Sequence, residues 1–201
     1  MLTVFIVDDD PGVLKALSRM VRARGYDVRS FTSPHGFLAD HDAKVPGCAV
    51  LDVSMPGLDG FELQRALAAD GALRPIIFLT GKGDIPMSVR AMREGAIDFL
   101  TKPVSDEDLL AAIGRAVKQD AESRQISANL ALIQAKIATL TPRERQVLTH
   151  VIAGRLNKQI AGDLGTAEKT IKVHRARMME KLSVRTVADL VRMAQKAGIS
   201  S

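Results

Sequence analysis

Short apolar runs alternate with amphipathic stretches over the first 118 residues of the chain. Several runs are almost entirely apolar, which is typical of strands in a parallel sheet that is covered on both faces. Helical spacing predicts one helix that begins at Asp10-Pro11 and others over roughly 34–40, 59–69, 84–94 and 105–118. Five strand–helix repeats predict a doubly wound α/β domain with a five-stranded parallel sheet. The predicted strands are Thr3–Val7, Val28–Phe31, Cys48–Leu51, Ile76–Leu79 and Ile97–Phe99.

Residues 119–140 carry no strand pattern, but their aliphatic side chains recur at alternating intervals of four and three residues. This spacing predicts a helical linker with an apolar stripe about two heptads long, which is too short to establish a coiled coil. Docking of the stripe within the same chain and pairing with a second chain are equally compatible with the sequence. The stripe consists of Ile126, Leu130, Ile133, Ile137 and Leu140.

Residues 141–201 are predicted to form a small all-α module. Thr141-Pro142-Arg143-Glu144 has the form of a capping box with proline at the first helical position. Two further helices are predicted at Asn157–Leu164 and Ala167–Leu182, joined near Gly165. A small residue at 161, the glycine and an apolar residue at 171 have the spacing of a helix-turn-helix, in which two helices cross closely.

The charge of the chain is divided between these two parts. Residues 1–118 hold 14 basic and 16 acidic side chains, whereas residues 119–201 hold 14 basic and only 7 acidic ones. The net charge of +5 therefore comes entirely from the second part, where it suits a polyanion such as nucleic acid, although a solvated basic surface would look the same.

Cysteine content and hydropathy indicate the cellular compartment in which the protein is expected. There is no apolar run long enough for a membrane span, and residues 1–4 lack the pattern of a signal peptide. A single cysteine, Cys48, cannot form an internal disulfide and lies in an apolar run, so we expect a buried structural thiol. These observations favour a cytoplasmic protein.

Polar residues follow successive strands of the predicted sheet. Strand one ends in Asp8-Asp9-Asp10, strand three in Asp52 and strand four in Thr80, and Lys102-Pro103 follows strand five. Ligands of open α/β sheets bind at the carboxyl ends of the strands, so these residues are expected to converge. Asp10, which precedes a proline, has the simpler interpretation of a helix cap.

The residue types suggest phosphoryl chemistry. Asp8, Asp9 and Asp52 would repel one another unless a divalent cation neutralised them, and hard oxygen ligands favour Mg²⁺. A carboxylate beside such a cation can attack a phosphoryl group and form an acyl phosphate. The phosphoryl oxygens would then be bound by Mg²⁺, the Lys102 ammonium and the Thr80 hydroxyl. A nucleotide-binding P-loop is absent, because Gly81-Lys82-Gly83 lacks its spacing.

These motifs resemble the response-regulator receiver family. The matching elements cover the whole of residues 1–118, and the stretch from Thr80 to Met87 is similar to the FixJ-type subfamily. The motifs are Val7-Asp8-Asp9-Asp10, Leu51-Asp52-Val53-Ser54-Met55-Pro56-Gly57-Leu58-Asp59-Gly60, Leu79-Thr80-Gly81 and Phe99-Leu100-Thr101-Lys102-Pro103.

The resemblance implies a CheY-like fold and phosphorylation of Asp52 by a partner histidine kinase. It also implies Mg²⁺ bound by Asp9, Asp52 and the Ser54 backbone carbonyl, with Asp8 acting through water, and a cis Lys102-Pro103 peptide. In such a domain Thr80 is drawn toward the phosphoryl group and the ring of Phe99 rotates inward. The surface formed by residues 84–94 and 97–99 would then repack and favour dimerisation.

An aspartyl-phosphate phosphatase is the enzymatic alternative to phosphoryl storage. Such enzymes generally need a second acid two residues after the nucleophile, where this chain has Ser54. A hydroxyl is a poor general acid at neutral pH, so the sequence favours storage over turnover and argues against an enzyme.

The second predicted helix of the helix-turn-helix has two distinct faces. Ile171, Met178 and Leu182 mark a buried face, and the opposite face carries basic side chains with Val173 and Ala176. A helix in the DNA major groove needs basic residues and can place an aliphatic group against a thymine methyl. Phosphate or base contacts are predicted for Lys158, Lys169, Lys172, Arg177 and Lys181.

The basic module resembles the LuxR/NarL-type output domain over about residues 139–197. Leu140-Thr141-Pro142-Arg143-Glu144, Asn157-Lys158-Gln159-Ile160-Ala161 and Lys169-Thr170-Ile171-Lys172-Val173-His174 carry the likeness. The resemblance implies that Thr170, Lys172, Val173, His174 and Arg177 lie near double-stranded DNA. Apolar residues of the last helix, from Val187 to Ala194, suit a monomer core or a dimer surface.

Together these observations predict a phosphorylation-dependent transcription factor. Its domains are a receiver at 1–118, a helical linker at 119–140 and a LuxR-type helix-turn-helix at 141–201. Two alternatives remain open: an output domain that binds DNA constitutively, and a protein-interaction relay without DNA binding, which the exposed basic helix disfavours.

Overall fold

A computed structural model describes residues 2–69, 71, 74–82 and 85–199. The chain divides into two compact units, Met1–Arg124 and Gln125–Ser201. Gly83 and Asp84, which belong to the FixJ-like stretch and to the start of the helix predicted at 84–94, lie outside the described residues.

The first unit contains a five-stranded parallel sheet in the order β2-β1-β3-β4-β5, as the sequence predicts. Reversal of strand order between β1 and β3 creates the switch point at which ligands of such sheets bind. The strands are β1 (Thr3–Val7), β2 (Asp27–Phe31), β3 (Gly47–Asp52), β4 (Ile76–Thr80) and β5 (Asp98–Thr101). The helices are α1 (Pro11–Ala23), α2 (Pro34–Asp40), α3 (Gly60–Ala69), α4 (Ile85–Arg93) and α5 (Asp106–Ala138).

The central strands are buried on both faces. Val4 and Ile6 of β1 pack into one hydrophobic cluster, with residues of α1 and α5. Phe5 and Val7 point the other way into a second cluster, with residues of α2 and α3. Successive side chains of a strand point to opposite faces, so a continuous apolar run serves both cores.

Helix α5 is longer than the sequence predicts. It runs without a break from Asp106 to Ala138, so the helix predicted at 105–118 and most of the predicted linker form one element. No proline occurs within it, and after Gly114 no glycine interrupts it. The division between the two compact units falls within this helix.

The second unit is all helical around one core. Its helices are α6 (Pro142–Ile152), α7 (Asn157–Asp163), α8 (Glu168–Leu182) and α9 (Val187–Lys196). The predicted capping box at the start of α6 is present, because the Thr141 side chain and the Glu144 side chain each accept a bond from the other's backbone. Gly165 adopts the left-handed conformation, with φ of 59°, in the turn between α7 and α8. Leu190 and Ala194 of α9 are buried, and Leu190 belongs to the core of this unit.

Candidate functional site

Four polar residues of the first unit lie at the carboxyl ends of its strands. Asp8 follows β1, Asp52 is the last residue of β3, Thr80 is the last residue of β4, and Lys102 follows β5. Parallel strands end at one edge of the sheet, so these residues share that edge. Asp8 and Asp52 flank the point where the strand order reverses.

Lys102 lies between two buried carboxylates. Its Nζ is 2.6 Å from Asp8 Oδ2 and 2.6 Å from Asp52 Oδ1. Asp8 is 1% exposed and Asp52 is 4% exposed, whereas the Lys102 side chain remains partly accessible. Burial lowers the pKa of Lys102, but hydrogen bonds with Asp52 and Asp8 outweigh it and hold the pKa above its ordinary value. The ammonium group is therefore charged and compensates the two carboxylates.

Backbone groups fix the orientation of both carboxylates. The Asp10 N–H donates to Asp8 Oδ1 at 3.0 Å, and the Ser54 N–H donates to Asp52 Oδ2 at 2.8 Å. The Lys102 N–H donates to the Thr80 carbonyl at 2.7 Å, which joins the end of β4 to the segment that carries the lysine. The predicted cis Lys102-Pro103 peptide is confirmed.

The remaining residues of the predicted metal set are at the surface. Asp9 and Ser54 are exposed, and Asp10 caps α1 by accepting from the N–H groups of Gly12 and Val13, as predicted. Within the described ranges, no three His, Cys, Asp or Glu side chains are grouped so as to hold a metal ion. Two buried hard-oxygen ligands that face an open edge nevertheless match Mg²⁺, which is usually held by one or two carboxylates with water and phosphate oxygens.

Thr80 and Phe99 lie on β4 and β5 of the same sheet. Thr80 is buried, and its hydroxyl oxygen accepts a hydrogen bond from the Lys82 N–H at 3.2 Å. Phe99 is half-buried on β5, and its ring lies 6.5 Å from that of Phe78. Thr80 is thus on the strand next to β3, and Phe99 is on the following strand, where the sequence predicts a relay.

The second unit presents the predicted face on helix α8. Ile171, Met178 and Leu182 are buried, as expected, while Val173 is 43% exposed on the opposite side. Lys172 forms an ion pair with Glu168 one turn earlier, at 3.1 Å. The exposed predicted residues of α7 and α8 are Lys158, Lys169, Thr170, Lys172, Val173, Arg177 and Lys181, and His174 is half-buried.

Two family models match the two units in sequence order. The response regulator receiver domain matches residues 4–114, which is more than half of the chain. The luxR family of bacterial regulatory proteins matches residues 138–194. The chain belongs to the response-regulator family. It has a receiver domain and a LuxR-type DNA-binding domain.

Relatives of the full length support this assignment. Response regulator protein TmoT of Ectopseudomonas mendocina is 46% identical over 193 residues, which cover 96% of this chain and 88% of that protein. Transcriptional regulatory protein FixJ of Bradyrhizobium diazoefficiens is 39% identical over 196 residues, covering 98% and 96%. The family of this chain is therefore one of transcriptional regulators.

Solved structures of response regulators share the fold. The low-resolution structure of StyR has a TM-score of 0.87 and 46% identity, covering 96% of this chain and 98% of that one. Full-length FixJ from B. japonicum has a TM-score of 0.58 and 38% identity, covering 99% and 98%. None of the helices in the described part of this response regulator is both long and apolar enough to cross a membrane.

Three hydrogen bonds made by Lys181 and Arg175 in the LuxR-type domain were not predicted from sequence. Lys181, predicted to contact DNA, donates to Glu144 Oε2 at 2.7 Å and to the Thr139 carbonyl at 3.3 Å. Arg175 donates to the Asn157 side chain at 3.0 Å and so links α8 to the start of α7. The capping box marks Glu144 in the sequence, but its pairing across 37 residues has no local signal.

Proposed function

We propose that Asp52 is the phosphoacceptor of this response regulator and that its phosphorylation controls DNA binding by the LuxR-type domain. The observation that carries the proposal is the Asp8–Lys102–Asp52 group at the switch point of the sheet. It combines a buried carboxylate nucleophile with a charged ammonium 2.6 Å away. That arrangement suits transfer of a phosphoryl group from a phosphohistidine of a partner kinase.

The residues of the site divide the work of phosphoryl transfer. An Asp52 oxygen attacks phosphorus, so an O–P bond forms as the P–N bond of the phosphohistidine breaks, and the Ser54 N–H fixes the rotation of the carboxylate through its other oxygen. Lys102 stabilises charge on the phosphoryl oxygens, and the Thr80 hydroxyl at the end of the adjacent strand β4 donates to one of them. Asp8, Asp9, Asp52 and the Ser54 carbonyl would hold Mg²⁺, which would neutralise carboxylate and phosphoryl charge when bound.

The same residues favour storage of the phosphoryl group over rapid hydrolysis. Ser54 lies two residues after Asp52, and its hydroxyl offers no effective general acid at neutral pH. We therefore assign no enzymatic turnover to the chain. The stored charge is proposed to be sensed by Thr80 and Phe99 on β4 and β5, with dimerisation through the surface of α4 and β5 as the consequence.

The DNA-binding part of the proposal rests on helix α8. Val173 is an aliphatic side chain exposed among Lys169, Lys172 and Arg177, where burial gives no reason for it. Such a face suits the major groove, with basic groups on phosphates or guanine and the valine against a thymine methyl. Lys158, Thr170 and His174 complete the proposed contact set. Lys181 serves the domain itself through Glu144, and we give it no role in base readout.

DNA binding with and without a phosphodonor tests the proposal. A duplex is selected from a randomised library with the full chain, and its Kd is measured for wild type and Asp52→Asn, with and without acetyl phosphate and Mg²⁺. We expect the donor to tighten binding by wild type about tenfold, within the usual range of allosteric coupling, and to leave Asp52→Asn unchanged. Asp40→Asn, at an exposed ion pair with Arg29, is the control and should respond as wild type does.

Three results would each contradict a separate part of the proposal. An equal response of Asp52→Asn and wild type would remove Asp52 as the switch. If wild type binds the duplex equally tightly with and without acetyl phosphate, the protein binds DNA constitutively. Absence of binding to any duplex would indicate a protein-interaction relay.

Binding to DNA in bacteria would place the protein in the cytoplasm, as we propose.

A further inference from the structure

A buried carboxylate on helix α5 contacts the first residue of the phosphoacceptor strand. Asp120 is 3% exposed, and its Oδ2 accepts hydrogen bonds from the Gly47 N–H at 2.8 Å and from Arg124 Nε at 2.7 Å. Gly47 begins β3, and Asp52 ends it. The same six-residue strand therefore carries the phosphoacceptor at one end and a bond to α5 at the other.

Arg124 extends this contact to the loop that precedes β3. Its guanidinium donates to the carbonyl oxygens of Ala43, Lys44 and Val45 at 2.8–3.0 Å. The Val45 carbonyl also accepts from the buried Arg74, so the loop is held from two directions. We call Asp120, Arg124 and their hydrogen-bond partners on residues 43–45 and 47 the α5 anchor.

The anchor holds the start of β3, which is packed closely on β1. Gly47 has φ of 140°, and a Cβ placed on it would lie 1.7 Å from the Thr3 carbonyl oxygen of β1. Close backbone packing of this kind joins the start of β3 rigidly to β1, so that the two strands move as one unit. A bond from α5 to Gly47 consequently ties the helix to the sheet, not to a flexible loop.

The anchor lies further along α5 than the apolar residues that pack on the sheet. Ala112 and Ala116 are buried against the sheet, and Asp120 and Arg124 follow at the same four-residue interval on that face. The apolar contacts end near residue 117, and the polar contacts continue for two more turns. Apolar packing is not directional, whereas hydrogen bonds fix both the rotation and the axial position of a helix. The Arg124 side chain of the Asp120–Arg124 ion pair is partly exposed, and such a pair contributes little to stability, which favours a role in specifying position.

We propose that Asp120 is a positioning residue that couples the phosphoacceptor strand to helix α5. Through it, a rearrangement around Asp52 changes the rotation or axial position of α5 at residues 120–124, where the helix continues toward Ala138. This inference rests on the proposed control of DNA binding by Asp52. It adds that the response requires the α5 anchor, although the anchor touches neither the phosphoryl site nor DNA-binding residues.

Four variants of the full chain test the anchor. Asp120→Ala removes the acceptor, Asp120→Asn keeps an oxygen for the Gly47 N–H, and Arg124→Ala removes the bonds to residues 43–45. Glu122→Ala is the matched control, because Glu122 is exposed in the same turn of α5. For each variant we measure the fraction phosphorylated by acetyl phosphate, and then the DNA Kd in both states.

The coupling ratio, the unphosphorylated Kd divided by the phosphorylated Kd, is the decisive readout. We expect a wild-type ratio of about ten to fall to about two or less in Asp120→Ala, with the extent of phosphorylation unchanged. Asp120→Asn should be intermediate, Arg124→Ala reduced, and Glu122→Ala equal to wild type. Hydrogen exchange should show faster exchange of α5 amides after residue 118 in Asp120→Ala, with residues 106–117 unchanged.

Two failures are distinguishable. If wild type responds to the donor and Asp120→Ala and Arg124→Ala respond equally well, the anchor proposal is wrong while the proposed function stands. If the donor does not change DNA binding by wild type, both the anchor proposal and the proposed function are wrong. Should Asp120→Ala be too unstable to purify, the more exposed Arg124→Ala decides, and a wild-type ratio in that variant overturns the proposal.

Discussion

Removal of the Lys102 ammonium should destabilise the receiver domain, and Mg²⁺ should restore part of the lost stability. In Lys102→Met the apolar stem is kept, but Asp8 and Asp52 lose the cation that lies 2.6 Å from each. Their facing oxygens are separated by at most twice that distance. Two buried carboxylates at this separation repel each other unless one takes up a proton or a divalent cation binds.

The size of the effect follows from the geometry. At an effective dielectric constant of about 20, two unit charges about 5 Å apart repel by about 3 kcal/mol. Breaking a buried ion pair by removing one partner costs about 3–5 kcal/mol, and the partial exposure of Lys102 favours the lower end. We expect Lys102→Met to lower the free energy of unfolding by about 3 kcal/mol in EDTA.

Tyrosine fluorescence reports on the receiver domain alone. The chain has one tyrosine and no tryptophan, and Tyr26 packs against the core cluster beside β2. Urea unfolding at pH 7, followed by this signal, is measured in EDTA and in Mg²⁺. Mg²⁺ should raise the unfolding midpoint more in Lys102→Met than in wild type, because a ligand that binds only the folded state stabilises it by mass action.

Lys15→Met is the matched control, because Lys15 is an exposed lysine of the same domain. It should unfold as wild type does in both buffers. A Lys102→Met midpoint equal to or above that of wild type in EDTA would refute the electrostatic reasoning. An equal Mg²⁺ effect in both proteins would show that loss of the ammonium does not strengthen Mg²⁺ binding, and would likewise contradict the electrostatic reasoning.

Three further predictions concern single residues. The hydrogen bond from Lys181 lowers the pKa of Glu144 below its ordinary value of 4.5. The ionised carboxylate therefore contributes its full stabilisation above pH 4.5, and this is lost as the pH falls through the lowered pKa of the folded state. Glu144→Gln should make the thermal unfolding temperature less dependent on pH in the acid range. Burial raises the pKa of the Cys48 thiol to about 12, so a thiol reagent at pH 8 should label Cys48 only in urea, and labelling of the folded protein would contradict its burial. Lys172→Ala should weaken DNA binding and reduce its dependence on salt by about one unit of the log–log slope, and an unchanged slope would mean that this residue contacts no phosphate.

Local patterns made most of the fold predictable. The Thr3–Val7 run specified β1 to the residue, and Asp10-Pro11 and Thr141-Pro142 marked two helix starts, because capping depends on residues within one turn. The last strand was predicted at 97–99 but lies at Asp98–Thr101, since its short apolar run does not fix where pairing with β4 ends. The helix predicted at 105–118 continues to Ala138, which the sequence did not indicate because Lys118 and Gln119 look like the end of an exposed helix.

Contacts between distant parts of the chain were not predictable. Convergence of Asp8, Asp52 and Lys102 followed from their positions at strand ends, but the ammonium between the carboxylates was expected only on the phosphoryl group. Asp120 and Gly47 are 73 residues apart, and neither belongs to a motif. An acidic residue in an otherwise exposed stretch gives no sign that it is buried, because burial depends on the loop packed against it.

Direct identification of the phosphorylated residue tests the central claim. Wild type and Asp52→Asn are incubated with acetyl phosphate and Mg²⁺, weighed intact by mass spectrometry, and reduced with borohydride, which converts an aspartyl phosphate to homoserine at the modified position. We predict that wild type gains one phosphoryl group, mapped to Asp52, and that Asp52→Asn gains none. Equal phosphorylation of Asp52→Asn, or homoserine at Asp8 or Asp9 in wild type, would contradict the account.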